Sequence, residues 1–407
     1  MKRLALLGLF SCLAACAVSQ HARSPGLHGF DPVQLAELNA AFQQQALAGR
    51  LPGAVILVSR RGVIVHEAVI GYADIDTGAS LQSDAIFRIF SMTKPVVTVA
   101  SLQQIEEGHY TLDTPVAELL PEFAHVMVAG PDGRLRPPLT VMTVRHLMTH
   151  TAGYSYDDYP LLETAADLDG FVAAIAERPL GQDPGERFDY GLETDILGAL
   201  VARVDGRPLD KILHDRVFGP LGMVDTGFCV PPDKLERLTT LYAYGDEPVL
   251  SRQDTPEVSA WSCPVVVYSG GGGLVSTAQD YWRFAEMLRR GGELGGVRVL
   301  SKDSASLIAA PQPGVDEAAT TDWWMGGTDW GLNMAVVTDA AANDWLDVDG
   351  NYYWSGAAST YFWIDPANEM TAIFMTQVLR GEHPNTFKDD SRNLIYRAFV
   401  RPRRSPQ

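Results

Sequence analysis

The sequence predicts an α+β fold in which helices flank one antiparallel sheet and a mainly helical segment is inserted into it. Two observations lead to this prediction. Runs of β-branched and aromatic residues lie near both ends of the 407-residue chain, whereas Pro, Gly and amphipathic helical patterns fill its middle. Strands from the two ends join most simply in one sheet when the helices between them form an insertion.

The composition suits a globular protein with a large core, because 46% of the residues are hydrophobic and 20% are charged. There are 50 Asp and Glu against 32 Lys and Arg, which gives a net charge of −18. A surface of this sign repels phosphate backbones, so we expect no nucleic-acid partner. For the same reason we expect no membrane contact driven by charge alone.

Local patterns define the elements in chain order. Apolar residues at helical spacing predict a first helix over 35–48, and two β-rich runs around an Arg-Gly turn predict a hairpin over 54–72. Further helices are predicted over residues 91–104, 193–204, 209–218, 278–288 and 387–400. Further strands are predicted over residues 330–337, 352–363 and 370–377. The four glycines at 270–273 precede a β-like run, which predicts a tight backbone crossing and not a phosphate loop.

These elements predict one unit over residues 31–404. Its sheet part comprises residues 31–110 and 265–404, and the helical insertion comprises residues 111–264. Within the unit, Cys229 and Cys263 form a disulfide or remain as two buried thiols, and the sequence leaves both alternatives open. It also leaves the oligomeric state open.

The first 30 residues are predicted to precede the fold. A basic start and an apolar run over residues 4–15 are typical of a signal peptide, and the run is too short to span a bilayer. Small residues before Cys16 resemble a bacterial lipobox, so we expect an acylated Cys16 followed by a tether over 16–30. Ala17 fits an outer-membrane lipoprotein that faces the periplasm. The alternative is a soluble periplasmic or secreted protein.

One short motif points to chemistry. Ser91 and Lys94 form the only Ser-x-x-Lys in the chain, and on a helix these positions share a face. The ammonium group then reaches the hydroxyl group, and free N–H groups at the helix start face developing negative charge. We expect apolar neighbours to bury Lys94 and lower its pKa, which would make it a base. The zinc motif His-Glu-x-x-His, the Walker motif and Gly-x-Ser-x-Gly are missing from the sequence, and we expect no metal or cofactor.

Six segments in a fixed order resemble the serine β-lactamase and penicillin-binding-protein superfamily. Within it, the sequence is most similar to class C β-lactamases and family VIII carboxylesterases. The segments are residues 91–94, 144–153, 184–190, 218–223, 271–277 and 354–356. The resemblance covers roughly residues 35–400 and implies a β-lactamase/DD-peptidase-like fold.

The resemblance implies an acyl-enzyme mechanism with Ser91 as the nucleophile and Lys94 as its activating partner. Tyr190 matches the tyrosine of the family's second motif and is implied to take part as a base. Whether Lys94 or Tyr190 is the general base stays open. An alternative is that His146 or His150 is a catalytic histidine paired with the serine, but the resemblance places both at a structural turn.

The third motif of the family is matched at the end of a predicted strand. The resemblance implies a substrate pocket lined by Trp354, Ser355, Gly356 and Leu192. The N–H groups of Ser91 and Ala357 are implied to form the oxyanion hole.

Two departures from the family pattern bear on the substrate. Leu192 replaces an Asn of the second motif, and Trp354 replaces a cation of the third. Losing both polar groups weakens the case for β-lactams and D-Ala-D-Ala peptides, and an apolar pocket suits neutral acyl esters. We therefore expect a serine esterase whose partner is a small-molecule ester or lactam. The alternatives are a β-lactamase or D-alanyl-D-alanine carboxypeptidase, and a non-catalytic cell-wall binder.

Overall fold

The computed structural model describes residues 28–245, 249–312, 315, 326–343, 346–379 and 386–400. In chain order, the described strands are β1 Gly53–Arg60, β2 Val63–Asp74, β3 Ala79–Ser80, β4 Phe87–Arg88, β5 Val128–Ala129, β6 Leu135–Arg136, β7 Leu241–Tyr244, β8 Leu250–Asp254, β9 Val275–Ser276, β10 Glu293–Leu294, β11 Val297–Arg298, β12 Thr328–Trp330, β13 Ala335–Val337, β14 Tyr352–Ser355, β15 Tyr361–Asp365, β16 Met370–Met375 and β17 Val378–Leu379. The described α-helices are α1 Pro32–Leu47, α2 Thr93–Glu106, α3 Val116–Leu119, α4 Val144–Met148, α5 Tyr159–Thr164, α6 Leu168–Ala176, α7 Glu193–Asp205, α8 Leu209–Leu213, α9 Gly219–Leu221, α10 Ala278–Arg289, α11 Lys302–Ile308 and α12 Phe387–Ala398.

One eight-stranded sheet organises the fold, in the order β12-β13-β14-β15-β16-β1-β2-β3. Its pairings are antiparallel, and Val55 of β1 lies opposite Met375 of β16 on one side and Val69 of β2 on the other. Strands from the two ends of the chain therefore meet in the middle of the sheet. This arrangement confirms the predicted α+β class with an antiparallel sheet.

Helices pack against this sheet and against each other. Helix α1 contacts α12 and β2, while α10 contacts β1, β15 and β16. Helix α2 packs against α7 and is buried along most of its length. Every residue from Thr93 to Leu102 is buried, polar ones included, so the first turn of α2 lies deep in the fold.

Four predicted elements differ in detail. The predicted strand over 330–337 is two paired strands, β12 and β13, because Asn333 between them adopts a left-handed φ of 56°. The predicted strand over 352–363 is two strands, because the N–H of Gly356 donates to the carbonyl of Thr360 (2.9 Å) and Ser359 adopts a left-handed φ of 64°. The predicted helix over 209–218 leaves α-helical geometry after Leu213 and continues as one π-helical turn. The predicted helix from 91 starts with a 3-10 turn, Phe90–Met92, before α2.

The segment predicted as a helical insertion also contains strands. Strands β7 and β8 pair with each other, and β17 joins β7 in parallel to form a separate three-stranded sheet. Cys229 and Cys263 form a disulfide with a Cα–Cα distance of 5.0 Å, which decides the alternative left open by the sequence. The exact limits of the predicted domains stay a prediction.

The predicted signal peptide, Cys16 and most of the predicted tether lie outside the described residues. Within the described ranges, no helix is both long and apolar enough to cross a bilayer.

Candidate active site

Ser91 lies in the 3-10 turn that leads into α2 and is half-buried. The preceding residue, Phe90, has a φ of 44°, an uncommon backbone conformation for a bulky side chain. Lys94 lies three positions later, in the first turn of α2, and its Nζ is 3.4 Å from Ser91 Oγ. The spacing of the motif therefore brings the two groups together as expected.

Lys94 is completely buried and its ammonium group has three acceptors in contact. Besides Ser91, Nζ donates to the carbonyl oxygen of Gly271 (2.8 Å) and to the hydroxyl oxygen of Tyr156 (3.0 Å). An ammonium group offers three N–H donors, so these contacts match its capacity. The side chain is thereby held in one orientation toward Ser91.

The expectation that burial lowers the pKa of Lys94 is wrong. Burial does oppose the charged form, but attraction to Tyr156, Tyr190 and Asp195 outweighs it and raises the pKa of Lys94 above its ordinary value. Lys94 therefore stays protonated in the resting site. In this form the side chain offers a positive charge and N–H donors, and the choice between Lys94 and Tyr190 as the general base stays open.

The glycine run at 270–273 fixes one acceptor of Lys94. Asp195 in α7 is buried, and its Oδ1 accepts from the hydroxyl group of Ser269 (2.6 Å) and the N–H of Gly271 (2.9 Å). A Cβ on Gly270 would collide with the carbonyl oxygen of Thr194, so the run crosses α7 at backbone distance. The predicted tight crossing is confirmed, and it directs the Gly271 carbonyl at Lys94.

Tyr190 lies over Lys94 and is 8% exposed. Its ring centroid is 4.7 Å from Lys94 Nζ, 5.4 Å from the ring of Trp354 and 4.4 Å from that of His150. The structure thus gathers Ser91, Lys94 and Tyr190 at one place. Their catalytic roles stay predictions.

Tyr156 is a second tyrosine at the site that the sequence analysis missed. Its hydroxyl oxygen contacts Lys94 Nζ directly, while the side chain remains 36% exposed at the rim. Burial of the hydroxyl group raises the pKa of Tyr156, against the opposing effect of Lys94. It follows two positions after Tyr154 in an aromatic segment, and nothing in its local pattern distinguishes it from the other surface tyrosines.

His150 and Glu193 form a buried pair behind Tyr190. His150 Nδ1 is 3.0 Å from Glu193 Oε2, and the N–H of Gly191 donates to the same ring nitrogen (3.3 Å). Burial lowers the pKa of His150 and raises that of Glu193, so each shift favours the neutral form of its group. The pair links the loop before Tyr156 to the start of α7. Glu193 is not among the predicted site residues, because its contact with His150 spans 43 positions of the chain.

His146 has a local role. Its Nδ1 accepts from the N–H of Thr143 (3.1 Å) in a reciprocal cap at the start of α4. This contact agrees with the interpretation of the segment as a structural turn.

The third motif ends β14 beside the serine turn. A Cβ on Gly356 would collide with the carbonyl oxygen of Ile89, so a glycine is needed for this close approach. Trp354 is buried, Ser355 is half-buried, and Ala357 is exposed just after the strand. The proximity agrees with a shared oxyanion site, which stays a prediction.

Leu192 is buried, and its predicted place in the pocket wall stays a prediction. The side chain is fully buried and offers no exposed surface to a ligand. It directly precedes α7, where an apolar side chain packs into the core.

Within the described ranges, no three His, Cys, Asp or Glu side chains are grouped to hold a metal ion.

Comparisons with known proteins identify the family. The family model described as Beta-lactamase matches residues 38–397, so the chain belongs to this family, and the superfamily inferred from the ordered motifs is confirmed. Protein Rv1367c of Mycobacterium tuberculosis is 36% identical over 361 residues, which cover 83% of this chain and 88% of that protein. Esterase EstB of Burkholderia gladioli is 31% identical over 384 residues, which cover 86% and 93%.

A solved structure shares the fold. EstCE1, a hydrolase with promiscuous acyltransferase activity, superimposes with a TM-score of 0.76 at 27% identity, and the match covers 89% of this chain and 99% of that one. The likeness extends over the sheet and the helical segment together.

Proposed function

We propose that this protein is a serine hydrolase that cleaves small carboxylic esters through an acyl-enzyme. The observation that carries the proposal is the contact of Ser91 Oγ with the buried, protonated Lys94. The family membership and the likeness to esterase EstB support the same reaction class.

In the acylation step, Ser91 Oγ attacks the ester carbonyl carbon and its proton passes to Tyr190. Tyr190 accepts this proton as a phenolate and becomes a neutral phenol, and the protonated Lys94 stabilises the phenolate before the transfer. The N–H groups of Ser91 and Ala357 donate to the carbonyl oxygen as it becomes an oxyanion. The C–O bond then breaks, and the alcohol leaves with the proton carried by Tyr190.

Deacylation repeats the chemistry with water. Water loses a proton to Tyr190 and attacks the acyl carbon, and the bond to Ser91 Oγ breaks. Ser91 regains its proton as the carboxylic acid leaves. Lys94 again supplies a fixed positive charge without changing its protonation state.

The wall near Ser91 favours neutral substrates. Trp354 is uncharged and packs on Tyr190 and Trp330, at ring distances of 5.4 Å and 4.6 Å. At Trp354 a substrate carboxylate would meet an indole ring where the family pattern has a cation, and it would lose hydration without gaining an ion pair with that residue. Neutral acyl esters therefore suit this wall better than β-lactams or D-Ala peptides.

A substrate panel tests the proposal. Purified protein is assayed with p-nitrophenyl butyrate, nitrocefin and a D-Ala-D-Ala peptide, each alongside Ser91→Ala. We expect ester turnover to dominate and to vanish in the variant. Ester turnover that survives in Ser91→Ala would refute the site, and nitrocefin turnover without ester turnover would assign a β-lactamase. Single-turnover acylation of Ser91 without release would support the non-catalytic binder.

Acyl transfer to an alcohol is a second candidate, which the likeness to EstCE1 favours. The acyl-enzyme formed at Ser91 would be attacked by the alcohol oxygen instead of water, and the alcohol proton would pass to Tyr190. Adding an alcohol acceptor to the ester assay distinguishes the two outcomes. A new ester product signals transfer, while carboxylic acid alone signals hydrolysis.

The location of the protein is also a proposal. The leader pattern supports export and acylation of Cys16, which would tether the protein to the periplasmic face of the outer membrane. Intact-mass measurement of membrane-extracted protein tests this. A water-soluble form that begins near Gln20 would refute acylation.

A further inference from the structure

A group of cations breaks the acidic surface of this protein. Five cationic side chains line one surface depression: Arg61, Arg289, Arg290, Arg298 and Lys302. Two carboxylates, Glu293 and Glu369, line it as well. Together with the adjoining Arg60, we call these six cations the basic face.

Contacts hold the basic face together around the β1–β2 turn. Arg290 donates to the carbonyl of Arg61 (3.4 Å), and both Arg289 and Arg290 donate to the buried carboxylate of Glu286 (2.6 and 2.7 Å). One carboxylate is therefore shared between two guanidinium groups. With Glu286, Glu293, Glu369 and the Asp365 carboxylate near Arg60 counted, two positive charges remain in excess.

The cations that matter for a partner are accessible. The side chains of Arg61, Arg290 and Arg298 are 58%, 42% and 44% exposed. They belong to three elements, the β1–β2 turn, the end of α10 and strand β11, so the excess charge covers a surface and not a single loop. A positive surface of this kind attracts a polyanionic plane more than a small anion.

Both ends of the described chain meet at this face. Arg60 Nη1 donates to the carbonyl of His28 (2.6 Å), and its guanidinium group lies 4.6 Å from the ring centroid of Phe399. The N–H of Val400 donates to the carbonyl of Gly29 (2.8 Å). The predicted tether therefore enters the fold directly beside the basic face.

The sequence beyond these ends strengthens the charge pattern. The chain after Val400 reads Arg-Pro-Arg-Arg, so three more cations follow within four positions. In the other direction, Cys16 lies 12 positions before His28, and that length of chain spans at most about 40 Å. An acyl chain on Cys16 would hold the basic face within that distance of a bilayer.

We infer that the basic face docks on an anionic phospholipid bilayer. Bilayers that contain phosphatidylglycerol present a negative plane, and clusters of Arg and Lys next to an anchor are attracted to it. The net charge of −18 led to the opposite expectation because it averages over the whole surface. The inference is independent of the esterase proposal, since no residue of the basic face lies at Ser91.

Vesicle binding tests the inference. Residues 17–407, which include every described residue, are mixed with vesicles of phosphatidylcholine, with or without one third phosphatidylglycerol, and sedimented. We expect phosphatidylglycerol to strengthen binding by about tenfold or more at low salt. We expect about 1 M salt to abolish the difference, because charges are then screened within about 3 Å.

Charge reversal identifies the surface. The triple variant Arg61→Glu, Arg290→Glu, Arg298→Glu is expected to lose the phosphatidylglycerol effect. The matched control Arg134→Glu, Arg207→Glu, Lys211→Glu makes the same change in net charge at exposed positions outside the basic face and is expected to keep most of it. Equal loss in both variants, or wild-type binding that ignores lipid charge and salt, would overturn the inference. Ester turnover of each variant reports that the fold is intact.

Discussion

The active site and the basic face hold positive charge in opposite ways. At the active site, one fully buried ammonium group, that of Lys94, is surrounded by three acceptors. On the basic face, six cations share a surface where Arg61 is 58% exposed. Water screens exposed charges but not enclosed ones, so a single buried cation can control a reaction while several exposed ones act only together. Position, more than number, decides what a charge does in this acidic protein.

The largest effect should come from removing the buried cation. We expect Lys94→Met to lower kcat/KM for p-nitrophenyl butyrate by about 10³-fold or more, because the site loses the charge that stabilises the base. Lys302→Met on the basic face is the matched control and should stay within about twofold of wild type. If Lys94→Met retained a tenth of the wild-type kcat/KM, the buried charge of Lys94 would not be essential for ester hydrolysis.

Comparing the two tyrosines sharpens the description of the buried site. We expect Tyr190→Phe to lower kcat/KM by about 10²- to 10⁴-fold, the usual contribution of a positioned base. Tyr156→Phe should cost less, about tenfold, because Ser91 and the Gly271 carbonyl still hold Lys94. Steady-state kinetics of both variants decide the ranking, and the reverse order would move the role of base to Tyr156.

The pH profile tests whether the neighbouring histidine takes part. Burial lowers the pKa of His150 well below its ordinary value, so it remains neutral as the pH rises from 5.5 to 7.5. We therefore expect log kcat/KM to show no step near the ordinary imidazole pKa of about 6.5. Such a step, if it disappeared in His150→Asn, would show that this histidine changes charge during turnover.

The smallest effect is expected from the exposed pairs. Arg61→Ala removes an ion pair with Glu369 whose members are 58% and 46% exposed, and surface pairs of this kind contribute about 1 kcal/mol or less. Urea unfolding should place the variant within that range of wild type, with ester turnover unchanged. A loss above about 3 kcal/mol would mean that the basic face also holds the hairpin in place.

Local sequence predicted the parts of the site that depend on local geometry. Ser91 and Lys94 are three positions apart on a helix, so their contact follows from helical spacing alone. Tyr190 came from the order of the family motifs, because no local rule brings it to Lys94 from 96 positions away. The glycine run was recognised as a crossing since such runs occur where backbones approach closely.

The errors share a physical cause. The pKa of Lys94 was predicted from burial, yet its direction depends on Tyr156, Tyr190 and Asp195, which reach it only in the folded chain. The run over 330–337 was predicted as one strand from its composition, but the chain turns within it and its two halves pair as β12 and β13. Long-range packing is not encoded in a residue's neighbours along the chain.

The sequence by itself determined the α+β class, the Ser91–Lys94 pair and the family. Periodicity, short spacing and motif order depend only on the order of residues along the chain. Tertiary structure alone decided the disulfide, the buried pair of His150 and Glu193, and the approach of Tyr156 to Lys94. It also separated a net charge of −18 into an acidic body and a basic face. Net charge follows from the composition alone, whereas the fold decides which charged side chains lie close together and which are exposed to solvent.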